Sequence, residues 1–350
     1  MARGITSSNT LIFEKLKQRY QEAGGEYEVA GSHWISSHHE HRPFITGAKI
    51  TRGEQYIYNS RLSFSTLRLR DELYLVCVGF EPEEMDSEMY SPVDNDPAFT
   101  VVALSELPVP PRRRLHWRSL YDEVLGLSDE SPGYQGHDFD IIVRFFEPYS
   151  VLKVLQPTDF NVFRGVFDLL VSNPDNLELP FGQTTVAEFK GLLAAPCTEK
   201  LPYGALLASL LAPRWDTCFL QLYRCVERLL AIPQYVEMTK RMSATISLED
   251  FNAATEEILS WRPREGDALE MLLDQVSDAS KEQLMRVVSH LPGLGQEAHP
   301  AKVFYKARNI LVHGQYEYNA IDMPDVDWNI LVRATLMFIR ELHDIYLSKL

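Results

Sequence analysis

Arg308 and His313 stand in the run Tyr305-Lys306-Ala307-Arg308-Asn309-Ile310-Leu311-Val312-His313-Gly314, and their types and spacing are those of a small acid–base site. A guanidinium keeps its charge at any physiological pH and can place two parallel N–H donors on phosphate oxygens. An imidazole titrates near neutrality, so His313 could both take and give a proton. In the last turn of a helix, the partial negative charge of the terminus favours its protonated form. The pair offers a general acid or base beside a fixed positive charge where negative charge develops. That is enough to cut RNA through its own 2′-hydroxyl without a metal.

The element that must position the pair is a helix. At about 100° per residue, Val303, Phe304, Ala307, Ile310 and Leu311 form one apolar stripe, while Lys302, Tyr305, Lys306, Arg308, Asn309 and His313 fall on the other side. The polar set is therefore expected to face away from its own core. Pro300 suits the first turn, where a missing N–H costs nothing, and Gly314 suits a left-handed residue that ends the helix. An Arg and a His at this spacing also occur by chance on the solvated face of an amphipathic helix, so the pattern needs its context.

That context resembles the HEPN superfamily, whose signature is an Arg, a polar residue directly after it, and a His four positions further on, often followed by Gly. Here these are Arg308, Asn309, His313 and Gly314. The resemblance extends to an aromatic-containing upstream helix, Phe219 to Leu230, and to a long closing helix, and covers the C-terminal part of the chain. It implies an all-α helical bundle and a metal-independent endoribonuclease of a bacterial anti-phage or toxin-type system, with a composite site built by a homodimer. It also implies roles: His313 moves the proton, Arg308 stabilises the transition state, Asn309 orients the histidine, and Glu227 is the upstream acidic residue. Lys302, Tyr305 and Lys306 are the expected RNA contacts. No cofactor and no metal ligand set are expected. In family toxins paired with a nucleotidyltransferase antitoxin, a Tyr stands two residues after the His, whereas this chain has Gln315 there and Tyr316 next, so adenylylation at that position is not expected. The alternative is a non-catalytic helical dimerisation or RNA/protein-binding module in which Arg308 and His313 only fix an interface or hold RNA.

Composition frames these readings. A chain of 350 residues with 45% hydrophobic content can bury a sizeable core, and its length suggests two domains. It has no apolar run of membrane-spanning length and no signal-peptide pattern at Met1-Ala-Arg-Gly-Ile-Thr, so a cytoplasmic protein without membrane association is expected. The net charge of −15 opposes broad, non-specific nucleic-acid coating, so any RNA site must be local. Cys77, Cys197, Cys218 and Cys225 lack metal spacing and read as buried thiols.

The expected fold class is α+β, with a β-rich sensing or partner-binding domain over 1–182 and a HEPN-like helical domain over 183–350. A helix is expected over 9–23. Thr51–Tyr58, Ser65–Arg70, Leu73–Phe80, Phe99–Leu104, Phe139–Phe146 and Val151–Leu155 read as strands from their β-branched and aromatic content. Asn173–Gly182 reads as a linker. Beyond it helical period dominates: Leu269, Leu272, Leu273 and Val276; Leu284, Val287, Val288 and Leu291; and Ile330, Ala334, Met337, Phe338 and Ile345. Ser247 with Asp250 resembles a helix-start box.

Other constellations are weaker. His38-His39-Glu40-His41, with His33 nearby, has metal-ligating types but lacks the helical two-histidine spacing of a hydrolase, and a solvated loop is expected. Arg112-Arg113-Arg114-Leu115-His116-Trp117-Arg118 could contact phosphates and stack on a base, but after Pro108-Val109-Pro110-Pro111 it reads more simply as an exposed linker. His137-Asp138 reads as structural, and Gly293-Leu294-Gly295 as a helix–helix turn.

Overall fold

The computed structural model describes residues 4–27, 31–57, 62–80, 82, 89–243, 246–259, 264–313 and 321–349, with the side chains of residues 50–57, 252, 259, 313 and 349 outside that description. The chain is mixed α+β, an antiparallel sheet with its own helices being followed by many further helices. It divides into two compact units, Met1–Asn161 and Val162–Leu350. The division thus falls before Val162 rather than after Gly182. No helix among the described residues is long and apolar enough to cross a membrane.

The first unit contains strands β1 (Lys49–Ile57), β2 (Ser63–Leu69), β3 (Glu72–Val78), β4 (Tyr90–Val93) and β5 (Tyr149–Val154) in the order β1-β2-β3-β5-β4. All neighbours are antiparallel. β4 was not foreseen, and its Pro92 is tolerated because β4 is an edge strand. The helices are α1 (Ile5–Glu22), α2 (Arg42–Gly47), α3 (Pro97–Glu106), α4 (Trp117–Leu120) and α5 (Phe139–Val143). Alternate residues of the sheet, Leu67, Tyr74, Val76, Val78 and Val151, join Ile12, Phe13 and Leu16 of α1 and Val101, Val102 and Leu104 of α3 in one core.

Two expected strands are helices. In α3 the Asp96 carboxylate accepts the Phe99 N–H at 2.8 Å and Pro97 occupies the first turn, a start signal that outweighs the β-branched residues. Because residues from Ala98 to Ser105 are all buried, the helix has no polar face and so no helical period to read. In α5 the Asp138 carboxylate caps the Asp140 N–H at 3.1 Å. α1 begins earlier than expected, so Asn9 lies inside it and bridges outward, its Oδ1 accepting the Ile35 N–H at 2.8 Å.

That bridge anchors a buried histidine pair. The rings of His33 and His137 lie parallel with centroids 6.0 Å apart, and both contact Phe13. Backbone bonds from His137 N–H to the Trp34 carbonyl and from Ser36 N–H to the His137 carbonyl, each 2.8 Å, hold them together. Gly136 (φ 92) is required here, since a Cβ would lie 2.5 Å from the Trp34 indole nitrogen. Burial pushes both histidines below their ordinary value, His137 to about 4 with His33 as the second cause. The unfolded chain therefore binds protons that the folded unit refuses. The stabilisation is complete above the ordinary value of 6.5 and is lost as pH falls towards 4. The expected result is a denaturation midpoint that drops through this window, by up to about 1.4 kcal/mol per pH unit for each histidine. His137→Asn should flatten the dependence, and denaturant titrations at pH 7, 6 and 5 that coincide would contradict it.

The second unit contains α6 (Val162–Ser172), α7 (Gln183–Leu193), α8 (Tyr203–Leu210), α9 (Trp215–Glu227), α10 (Ile232–Met242), α11 (Leu248–Leu259), α12 (Glu265–Leu273), α13 (Asp278–Met285), α14 (Pro300–His313) and α15 (Asp325–Tyr346). The stretch read as a linker belongs to this unit and is docked on α15: Asn329 accepts the Gly182 N–H at 2.7 Å and donates to the Pro180 carbonyl at 3.1 Å. The Ser247 hydroxyl accepts the Asp250 N–H at 3.0 Å, as its start box predicts. Gly293, with φ 78, makes the expected turn.

α15 packs against α7, α9 and α13, and α14 packs against α9, α12 and α13. The buried face of α15 is built on Leu331, Ala334, Thr335, Phe338 and Leu342, so the expected stripe was rotated too far and its Ile345 is 46% exposed. α13 stops at Met285, leaving Val287, Val288 and Leu291 buried but outside the helix.

Candidate functional site

α14 starts at Pro300, and Val303, Phe304, Ala307 and Ile310 are buried as its period predicts. Phe304 is the anchor. Its ring meets Phe219 at 5.5 Å, Tyr223 at 4.8 Å and Phe338 at 5.6 Å, which fastens α14 to α9 and α15. This docking sets the rotation of α14, leaving Lys302 exposed and Tyr305, Lys306, Arg308 and Asn309 partly exposed.

Arg308 is not a solvent-facing residue of the kind its sequence position suggested. Its side chain retains 20% exposure and sits between two carboxylates, Nε lying 3.6 Å from Glu265 Oε1 and Nη2 lying 4.0 Å from Glu227 Oε1. Its Nη1 donates to Asn309 Oδ1 at 2.9 Å. Its Cζ lies 5.9 Å from the centre of the Tyr223 ring, within cation–π range. The carboxylate distances are ion-pair separations, longer than hydrogen bonds, so they steer the guanidinium electrostatically.

The resemblance pointed to Glu227, and the fold brings it to Arg308. Nothing in the sequence pointed to Tyr223 or Glu265. The Tyr223 hydroxyl donates to Glu265 Oε1 at 2.6 Å, across a separation of 42 residues. Burial, and then the Glu265 carboxylate, push this phenol far above its ordinary value. It therefore remains a donor throughout the physiological range. Glu265 opens α12, where an acidic residue reads only as a favourable partner of the helix dipole.

Asn309 Oδ1 accepts from Arg308 Nη1, and the expected contact of Asn309 with His313, one turn further on, falls on a side chain outside the described residues. His313 closes α14. Its side chain, together with Gly314, Gln315 and Tyr316, lies outside the described residues.

The competing constellations acquire local structural contacts. His41 Nδ1 accepts the His38 N–H at 3.1 Å, closing a short exposed turn. Among the described residues no group of three or more His, Cys, Asp or Glu is placed to hold a metal. The arginine row is not a free linker: Arg112 donates from its backbone N–H to the Phe145 carbonyl and from Nε to the Phe146 carbonyl, both at 2.9 Å. Arg19 donates to the carbonyls of Arg112 and Arg113, tying the row to α1. All four cysteines are buried and unbridged, with thiols pushed upward by burial.

Comparisons of the chain with protein-family models, with curated proteins and with solved structures found no match.

Proposed function

We propose that this chain is a metal-independent endoribonuclease of the HEPN type, acting as a homodimer in a bacterial anti-phage or toxin-type system, with the first unit sensing a partner or ligand. The observation that carries the reading is Arg308 on α14, held by Glu265, Glu227 and Asn309 with 20% of its side chain exposed, five residues before His313. In the reaction the RNA 2′-oxygen attacks the adjacent phosphorus and gives its proton to His313. Arg308 stabilises the added negative charge on the phosphoryl oxygens, the bond from phosphorus to the 5′-oxygen breaks, and that oxygen takes up a proton from water. Lys302, Tyr305 and Lys306 extend the polar side of α14 along the RNA. Val312, 47% exposed on the same helix, gives a second protomer an apolar contact.

A second reading, the non-catalytic dimerisation or binding module, draws on the two carboxylates beside Arg308, which offset its charge without any phosphate. Incubation of the purified protein with RNA separates the two. Cleavage is expected in the presence of EDTA, leaving a 2′,3′-cyclic phosphate and a 5′-hydroxyl, and a single 2′-deoxy substitution at the cut site should block it. Activity that disappears in EDTA and returns with Mg²⁺, Mn²⁺ or Zn²⁺ would overturn the mechanism. Binding without cleavage would favour the module.

A further inference from the structure

We propose that Tyr223 and Glu265 are positioning residues for Arg308, forming a phenol–carboxylate tether that fixes where the guanidinium sits. The inference rests on the ribonuclease reading and extends it to two residues that the signature does not contain.

A guanidinium has two bidentate forks, a side-on pair formed by Nε and Nη2 and an end-on pair formed by Nη1 and Nη2. In Arg308 the side-on pair points at protein carboxylates, Nε towards Glu265 Oε1 at 3.6 Å and Nη2 towards Glu227 Oε1 at 4.0 Å. Nη1 donates to Asn309 Oδ1 at 2.9 Å, so three protein groups together set the orientation of the guanidinium.

The Tyr223 hydroxyl holds Glu265 through a 2.6 Å bond to the same oxygen that faces Arg308, and so fixes where that carboxylate sits. The phenol cannot leave, because its ring is 2% exposed and stacked on Phe304 at 4.8 Å with 27° between the planes. It stays protonated, being pushed upward first by burial. The tether therefore joins the aromatic anchor of α14 to the group that stabilises charge. Without the phenol, Glu265 is released to approach Arg308 as a direct ion pair and draw the guanidinium back, and a displacement near 1 Å at a reacting centre can cost about a hundredfold in rate.

The test uses the full-length chain and compares Tyr223→Phe and Glu265→Gln with wild type for RNA cleavage and thermal denaturation. Each is expected to lower kcat by roughly tenfold to a hundredfold with a smaller change in KM, since charge stabilisation belongs to the transition state. The same substitutions in an Arg308→Lys background should cost little further, because lysine has no fork to orient. A thermal-stability cycle between Glu265→Gln and Arg308→Lys should be non-additive whether or not Arg308→Lys retains measurable activity. Wild-type kcat in Tyr223→Phe, or an additive stability cycle, would overturn the tether while leaving the ribonuclease reading intact. Absence of cleavage by wild type would instead remove the ribonuclease reading, and the inference with it.

Discussion

Arg308→Ala and His313→Ala should each lower kcat/KM for RNA cleavage by about a hundredfold to ten-thousandfold, the range lost when a proton-transfer group or a transition-state charge partner is deleted. Stability should separate them. If Arg308 lay on a solvated surface, as its position in the motif implies, its removal would be thermodynamically silent. Its placement between Glu227 and Glu265, with 20% of its side chain exposed, makes that expectation wrong. Its loss leaves two neighbouring carboxylates without their cation and should cost about 1 kcal/mol. Asn309→Ala should be milder in rate than either, because it removes one acceptor from Arg308 and leaves charge and proton transfer in place. Steady-state kinetics with urea denaturation midpoints measures both quantities. Cleavage by Arg308→Ala within a few-fold of wild type would sink the assigned role.

Phe304→Ala should be the most damaging substitution in the second unit. Phe304 has 0% exposure and touches the rings of Phe219, Tyr223 and Phe338 on the two helices that receive α14. Truncating a buried Phe typically costs about 3–5 kcal/mol through lost transfer energy and the cavity left behind. Part of this cost is lost ring–ring geometry, worth about 0.5–1.5 kcal/mol for each pair. Activity should fall more steeply than the folded fraction explains, because Tyr223 loses the ring on which it stacks and the tether to Arg308 loosens. Phe304→Leu, which keeps most of the volume, should lose less than half as much stability. A change of less than about 1 kcal/mol for Phe304→Ala in urea denaturation would mean that α14 is held by something else.

The sequence by itself determined α14 well. Its apolar period named the buried residues Val303, Phe304, Ala307 and Ile310, although Leu311 of the same stripe is only partly buried, and Pro300 marked its start. It also placed the hairpin partners β2 and β3, whose β-branched and aromatic runs are bounded by a turn at Arg70 and Asp71. Periodicity fails where an element is buried all round. For that reason α3, with Ala98 to Ser105 inside the core, reads as a strand, although Asp96 and Pro97 carry the local signal for a helix.

The candidate site divides in the same way. Arg308, Asn309 and His313 are legible because a single helix carries them and helical spacing relates them directly. Tyr223 and Glu265 are not, because the 2.6 Å bond between them spans 42 residues and exists only once α9, α12 and α14 are packed together. Spacing along one helix is a property of the backbone and is written locally in the chain. The orientation of a guanidinium among carboxylates contributed by different helices depends on how those helices rotate against one another, and tertiary packing around Phe304 decides that rotation.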